Sequence, residues 1–363
     1  MKTNILLLYF LLPICLTACS KDDSAEASPA VRTVIVYMAA DNDLWADALA
    51  DVEELQAGFS EQRVNLVVFL DPVGEPPSLL KIAPGATETV KTYPELNSAD
   101  ASQLRQALSD AIALYPAERY GLALWSHGTS WLPAGRLLKS FGEDGGRQMN
   151  IPELAAALPV HFDFILFDAC LMGSVEVAYE LREKTDFIVA SSTETIADGF
   201  PYDRIAPELL ATEPDLRRVA ERYFDFYAQQ SGAYQSATVA LVDARELEAL
   251  AAATRELLSV RQVDLTDFDR SQVQRLDVYE EQYTFDFGDF MDKLLPEVDK
   301  SALAAQLNKT VLYKAHTAKF LDEYEIATFC GLSSYIPHSG RGDLNDYYRQ
   351  LGWYTAGGYN KLF

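Results

Sequence analysis

Long apolar runs alternate with amphipathic stretches along the first 200 residues. Five runs have the length and β-branched content of buried strands: residues 32–40, 64–71, 120–128, 162–169 and 186–192. Three stretches between them have helical periodicity: residues 41–59, 98–116 and 171–184. Two shorter runs, residues 79–83 and 88–94, have the pattern of a hairpin. Nearly continuous apolar strands joined by helices predict an α/β fold, with a mostly parallel sheet covered by helices on both faces.

Chemically active residues cluster where these strands end. His127 closes the third strand, Cys170 follows the fourth, and the loop 191–199 (SSTETIADG) follows the fifth. Ligands of parallel α/β sheets bind at the carboxyl ends of the strands. We therefore expect these three features to meet at one edge of the sheet.

The remainder of the chain is less regular. Beyond about residue 210 the pattern is mostly helical, with further strand candidates at 237–244 and 329–337. The 363 residues suffice for one large domain or two. The net charge of −24 disfavours nucleic acid as a partner, because phosphate binding needs basic patches. With four histidines and no His-Glu-x-x-His, a zinc hydrolase is not supported, and Gly-x-Gly-x-x-Gly and Gly-x-Ser-x-Gly motifs are absent as well.

The N-terminus has the pattern of a targeting segment. A charged start and a short apolar run lead to Leu16-Thr17-Ala18-Cys19, which resembles the lipobox of bacterial lipoproteins. We expect residues 1–18 to be a signal peptide, Cys19 to carry the lipid, and residues 19–30 to be a linker. The cysteines that remain in the domain, Cys170 and Cys330, leave open one disulfide or two free thiols.

His127 and Cys170 form a candidate catalytic pair. A thiol near a helix start and an imidazole is expected to have a lowered pKa and to act as a nucleophile. The backbone N–H groups of Gly128 and Cys170 are candidates for an oxyanion hole. Taken singly, a strand-end cysteine is more often a small buried apolar residue. The pairing of the two residues favours catalysis.

Three segments carry a resemblance to a known family. LALWSHGTSW (122–131), ILFDACLMGSVEVAYEL (165–181) and VIVYMAADNDL (34–44) resemble the clostripain family, within the caspase- and gingipain-like clan of cysteine peptidases. The resemblance implies a caspase-like peptidase domain over residues 31–240. It matches the C-terminal region 241–363 only loosely, and we expect that region to be mainly helical and packed on the domain.

The resemblance also implies roles for single residues. Cys170 would be the nucleophile and His127 the acid/base, and Asp168, Thr195 and Asp198 would line a pocket for substrate Arg or Lys. Some members cut themselves between the His and Cys strands.

That segment here contains three candidate cleavage positions: Lys139, which is nearest to the expected cut, Arg136 and Arg147. The acidic GEDGG (142–146) has too few ligands for a recognisable calcium loop and is interpreted as a turn. We expect no metal and no cofactor.

Together these observations predict a lipid-anchored cysteine endopeptidase that cleaves after Arg or Lys. Its expected partners are protein or peptide substrates with Arg or Lys, and the membrane through the lipid on Cys19. We expect a monomer at the bacterial outer membrane or cell surface. The alternative is a catalytically silent envelope lipoprotein of the same fold that binds peptide or glycan.

Overall fold

A computed structural model describes residues 30–61, 63–134, 140–263, 265, 268–338 and 340–363. Its strands are β1 (Ala30–Ala40), β2 (Val64–Pro72), β3 (Ser78–Ala83), β4 (Ala86–Thr92), β5 (Ala117–Trp125), β6 (Phe141–Asp144), β7 (Arg147–Met149), β8 (Phe162–Asp168), β9 (Thr185–Ala190), β10 (Thr238–Asp243), β11 (Phe285–Asp286), β12 (Val311–His316), β13 (Lys319–Phe320), β14 (Tyr324–Glu325) and β15 (Ser333–Ser334). Its α-helices are α1 (Trp45–Gly58), α2 (Ala101–Leu114), α3 (Ile151–Ala157), α4 (Val175–Leu181), α5 (Tyr202–Leu209), α6 (Leu216–Ala228), α7 (Leu247–Leu257), α8 (Phe287–Leu294), α9 (Ser301–Thr310), α10 (Gly342–Tyr348) and α11 (Gly352–Ala356).

The described residues build a central sheet of nine strands in the order β12-β10-β9-β8-β5-β1-β2-β3-β4. The five central strands, β9 to β2 in this order, run parallel to one another. Antiparallel strands extend both sides, with β10 and β12 on one and β3 and β4 on the other. The predicted α/β sheet is therefore confirmed, with antiparallel additions at its edges.

Helices cover both faces of this sheet. One apolar cluster holds residues of α2, α3, α4 and α7 together with much of the C-terminal segment. The other holds residues of α1, α5 and α6. The central strands are buried from both sides, which is why they are apolar without alternation.

Three local predictions differ from the structure. Helix α4 begins at Val175 rather than at residue 171, since a turn follows Cys170 and the Ser174 side chain caps the helix. The predicted strand 329–337 is reduced to β15, because most of this segment is irregular backbone. The region beyond residue 210 is less helical than expected, and it contributes β12, which pairs with β10 in the central sheet.

The strand register decides where the active residues lie. Trp125 of β5 is paired with Asp168 of β8 in the parallel ladder. His127 and Cys170 each lie two residues further along the chain. The two side chains therefore leave the same edge of the sheet at the same level.

Candidate active site

A cavity of about 110 Å³ opens at this edge, among the ends of β5, β8 and β9. His127, Asp168, Cys170 and Thr195 all line it. Four of the residues singled out from the sequence are thus brought together. Leu44, which follows β1, contributes an apolar wall.

Cys170 lies in the turn between β8 and α4, beside the loop after β9. Its Sγ accepts a hydrogen bond from the Thr195 N–H at 3.2 Å and faces the Thr195 carbonyl oxygen at 3.6 Å. Leu171 closes the turn in a left-handed conformation, with φ of +64°. This arrangement fixes the thiol between the cavity and the loop.

The expected lowering of the thiol pKa is wrong for this conformation. Burial raises the pKa of Cys170 to about 12, which outweighs the hydrogen bond from Thr195. The helix cannot offset the burial, because α4 begins only at Val175 and the favourable field of a helix terminus is confined to its first turn. Cys170 is accordingly a neutral thiol in this conformation, and nucleophilic attack requires a base.

His127 has a carboxylate partner that the sequence analysis did not identify. Its Nε2 lies 2.7 Å from Oδ1 of Asp43, in the segment between β1 and α1. A second carboxylate, Glu143, lies 3.9 Å from the same nitrogen. Both acids favour a fixed orientation of the imidazole ring.

Asp168 is the charged group of the cavity wall and is 5 % exposed. Its Oδ2 accepts a hydrogen bond from the Phe200 N–H at 3.0 Å. Gly199 makes this contact sterically feasible, because a Cβ at that position would lie 2.8 Å from Oδ2 and its φ is +59°. Burial raises the pKa of Asp168 to about 6, so the carboxylate is ionised at pH 7.5.

A second buried carboxyl group, that of Asp51 on α1, interacts with Asp168. Asp51 accepts a hydrogen bond from Nε1 of Trp125 at 2.7 Å, and Trp125 also lines the cavity. Burial, together with the negative charge of Asp168, raises the pKa of Asp51 to about 9. The negative charge of Asp168 thus favours the protonated form of Asp51.

Three other predicted residues, Asp198, Gly128 and Arg147, are not among those that line this cavity. Asp198 is exposed and lines a neighbouring cavity of about 290 Å³ rather than the one with Cys170. A Cβ on Gly128 would lie 2.7 Å from the Cys170 carbonyl oxygen, so only glycine allows this close approach of the two segments. Arg147 is exposed in β7.

Several predictions concern residues outside the described part. Arg136, Lys139 and Cys19 all belong to this group. Within the described residues, no group of side chains has the composition and geometry to hold a metal ion. Of the GEDGG segment, which was predicted as a turn, residues 142–144 belong to β6, and only Gly145 and Gly146, both with positive φ, form the turn to β7. The described helices also include none that is long and apolar enough to span a bilayer.

Asp43 and Asp51 are the residues that sequence reasoning missed. Asp43 could have been found, since it follows the first strand and so belongs to the same sheet edge as His127. Asp51 lies within the helical pattern of α1, where a carboxylate usually indicates a solvent-facing position. Only the packing of α1 over Trp125 identifies it as buried.

The chain is similar to known proteins over most of its length. The model of the clostripain family matches residues 36–351. Clostripain from Hathewaya histolytica is 28% identical over 221 residues, which are 49% of this chain and 42% of clostripain. The matched segment thus spans less than half of that relative.

Two solved structures are similar over nearly their whole length. An inactive zymogen C11 protease from Parabacteroides distasonis is 32% identical, with a TM-score of 0.81, and the match covers 91% of this chain and 98% of that protein. A secreted C11 cysteine protease from Bacteroides thetaiotaomicron, solved with an irreversible peptide inhibitor, is 31% identical. Its TM-score is 0.81, with coverage of 91% and 99%. The caspase-like fold is therefore shared over most of the chain.

Proposed function

Because the chain belongs to the clostripain family of cysteine proteases, we propose that it is a cysteine endopeptidase that cleaves after Arg or Lys. The observation that carries the proposal is the shared cavity. A thiol and a buried carboxylate from the end of β8 and an imidazole from the end of β5 line it together. The thiol and imidazole supply the chemistry of acyl transfer, and the carboxylate supplies selectivity for a cation.

The proposed reaction starts from the neutral thiol. His127 takes the proton from Cys170 as Sγ attacks the carbonyl carbon of the substrate, and a tetrahedral oxyanion forms. The imidazolium then gives this proton to the leaving amine, the C–N bond breaks, and a thioester remains. Water, deprotonated by His127, hydrolyses the thioester and restores the thiol. Since Nε2 is held by Asp43, Nδ1 is the nitrogen we assign to these proton transfers.

Backbone N–H groups would stabilise the oxyanion. We keep Gly128 and Cys170 as the proposed donors, since their segments lie in direct contact. Removing one such donor typically costs about 10²- to 10³-fold in kcat. Thr195 is proposed to line the substrate pocket, together with Asp168 at its wall. Asp198 is proposed to act from the rim, where it adds negative charge near the entrance.

The proposal is tested with fluorogenic peptides that carry Arg, Lys, Asp or Leu before the reporter. We expect turnover of the Arg and Lys peptides by the domain from residue 24, and loss of it in Cys170→Ala. Turnover of the Asp or Leu peptides instead would leave a peptidase but remove the role of Asp168. Failure on all four, even after calcium and limited trypsin, would favour the silent envelope lipoprotein.

We further propose that the chain cuts itself between β5 and β8. Support comes from a similar solved structure, which is an inactive zymogen of a C11 protease. Lys139 is the proposed position, with Arg136 and Arg147 as neighbouring candidates. Lys139→Gln should abolish the cut seen on a denaturing gel, and a cut that persists at an unchanged position would exclude Lys139.

The lipid anchor is proposed from the sequence around Cys19. Attachment there would tether the protein to the bacterial outer membrane or cell surface. Metabolic labelling with an alkyne fatty acid should mark the full-length protein and not Cys19→Ser. Equal labelling of both would contradict the proposal.

A further inference from the structure

A second cavity, of about 310 Å³, lies next to the catalytic one. Three segments form it: residues 194–196 of the loop after β9, residues 233–234 before β10, and residues 320–321 after β12. The wall is mainly apolar, with Ile196, Tyr234, Phe320 and Leu321 among its side chains. Tyr234 is 59 % exposed. A large aromatic group is thus open to solvent beside the active site.

One loop contributes to the walls of both cavities. Thr195 and Ile196 line both of them. The backbone N–H of Thr195 is also the group that donates a hydrogen bond to Sγ of Cys170. A peptide that reacts with Cys170 and extends along this loop therefore reaches the second cavity.

The order of the strands decides which end of a substrate arrives there. The sheet runs from β5 through β8 and β9 to β10 and β12. His127 follows β5 and, under the proposed function, protonates the leaving amine. The C-terminal part of the substrate therefore lies on the β5 side of Cys170. The N-terminal part, which is held as the thioester, lies on the side of β9, β10 and β12.

The distance fits a few residues of extended peptide. Neighbouring strands are about 4.8 Å apart, so β9, β10 and β12, whose flanking segments line the cavity, lie roughly 5, 10 and 14 Å from β8. An extended chain advances about 3.3 Å per residue. The second cavity is therefore reached by side chains two to four positions before the scissile bond.

Two residues at the rim of this cavity have unusual backbone conformations. Leu321 has φ of +48° and Asp322 has φ of +57° in the turn between β13 and β14. Non-glycine residues rarely adopt this region, and such outliers cluster at ligand sites. The Leu321 N–H donates to Oγ of Ser236 at 2.6 Å, which fixes the turn against the segment before β10.

We propose that this cavity, named here the apolar subsite (residues 194–196, 233–234 and 320–321), binds a large apolar side chain of the substrate. The bound residue lies two to four positions N-terminal to the scissile bond. The proposal rests on the proposed function, because that function fixes the direction of the substrate. Glu194 adds a carboxyl group to the wall, and its Oε1 is engaged by the Val278 N–H at 3.1 Å.

The test uses tetrapeptide reporters that end in Arg and carry Leu or Ser at the second, third or fourth position before the bond. We expect Leu to raise kcat/KM by about tenfold or more at one of these positions, as burial of such a side chain would. An acetyl-Arg reporter, which ends before the subsite, serves as the reference. Equal rates for Leu and Ser at all three positions would overturn the proposal.

Variants then assign the preference to the subsite. The double variant Tyr234→Ser, Leu321→Asn should reduce the Leu preference to under threefold and leave acetyl-Arg turnover within twofold. Asn is used because it tolerates positive φ. Leu114→Ser, at the similarly exposed end of α2, is the matched control and should change neither rate. An unchanged Leu preference in the double variant would reject the assignment.

A binding experiment tests the apolar subsite separately from the proposed peptidase activity. Calorimetry on Cys170→Ala with tetrapeptide acids ending in Arg measures the subsite without turnover. Tighter binding of the Leu peptide would support the subsite even if the enzyme were silent. If the Leu peptide binds more tightly but acetyl-Arg is not turned over, the proposed peptidase activity is rejected and the apolar subsite stands. A Leu preference only on the C-terminal side, in internally quenched peptides, would overturn the direction.

Discussion

Replacing Asp168 by Asn removes the negative charge of the catalytic cavity and nearly preserves its shape. The carboxylate is buried and accepts a hydrogen bond from the Phe200 N–H. An asparagine can present its carbonyl oxygen to the same donor. The substitution therefore changes charge with little change in packing. A loss of activity in this variant can therefore be assigned to the missing charge rather than to a change in the fold of the site.

The expected loss of activity is large and specific to a cationic substrate. Removing one partner of a buried ion pair costs about 3–5 kcal/mol, or roughly 10²- to 4 × 10³-fold. We expect kcat/KM for an Arg peptide to fall by this factor in Asp168→Asn. A peptide with citrulline, the neutral analogue of Arg, should change by less than threefold. In the unmodified protein, kcat/KM for the Arg peptide should fall as the pH drops below about 6, because Asp168 becomes protonated.

The substitution Asp168→Asn should lower activity but raise the free energy of unfolding. The pKa of Asp168 rises from 3.8 to about 6 on folding. The folded state thus binds the proton more tightly, so this group's contribution is fully present below pH 3.8 and is lost as the pH rises through 6. The loss amounts to about 3 kcal/mol. Relative to the unmodified protein, Asp168→Asn should therefore gain stability between pH 4.5 and pH 8.

Two measurements check this reasoning. Steady-state kinetics with Arg and citrulline peptides give the selectivity ratio, and urea unfolding at pH 4.5 and pH 8 gives the stability difference. Asp198→Asn is the control, since that carboxylate is exposed at the rim. An unchanged Arg-to-citrulline ratio in Asp168→Asn would refute the role of Asp168. A larger loss of selectivity in Asp198→Asn would move the selecting charge to the rim.

Three further predictions follow from single contacts. Iodoacetamide should label Cys170 before Cys330, because Cys170 is partly exposed whereas Cys330 is buried and only 8 % exposed. The Cys170 rate should still rise between pH 8 and pH 9, and a plateau below pH 8 would contradict the high thiol pKa. Asp43→Asn should lower kcat about 2- to 5-fold with KM unchanged, since an exposed partner of His127 contributes only about 0.2–1 kcal/mol. A 50-fold loss of kcat, or full activity in Asp43→Ala together with reduced activity in Asp43→Asn, would oppose a modest positioning role. Glu176→Ala should lower the free energy of unfolding in urea by on the order of 3 kcal/mol, because the buried Tyr335 N–H and Tyr348 OH lose their acceptor. A loss under 1 kcal/mol would argue against this anchoring of the C-terminal segment.

The sequence determined the sheet and the meeting of the catalytic pair. Strand character is local, because continuous apolar runs such as residues 162–169 cannot face solvent on either side. Parallel strands end at one edge, so His127 and Cys170 could be assigned to the same site without coordinates. Residue roles taken from the family resemblance then focused the prediction on Asp168.

The position of the C-terminal segment was decided only by tertiary structure. The strand β12 adds to the sheet beside β10, although 67 residues separate the two strands. Its pattern of exposure is that of an edge strand, which carries a weak signal in sequence. The same packing brings Leu321 next to Ile196 and creates the apolar subsite.

The electrostatics of the site also required the tertiary structure. The residue pattern predicted a lowered thiol pKa for Cys170, whereas burial raises it. Asp51 belongs to an amphipathic helix by its spacing, yet it is buried, and burial together with the negative charge of Asp168 raises its pKa. Spacing along the chain fixes which side chains leave a strand at the same edge. Desolvation depends on every segment that packs around a group, and those segments are distant in sequence.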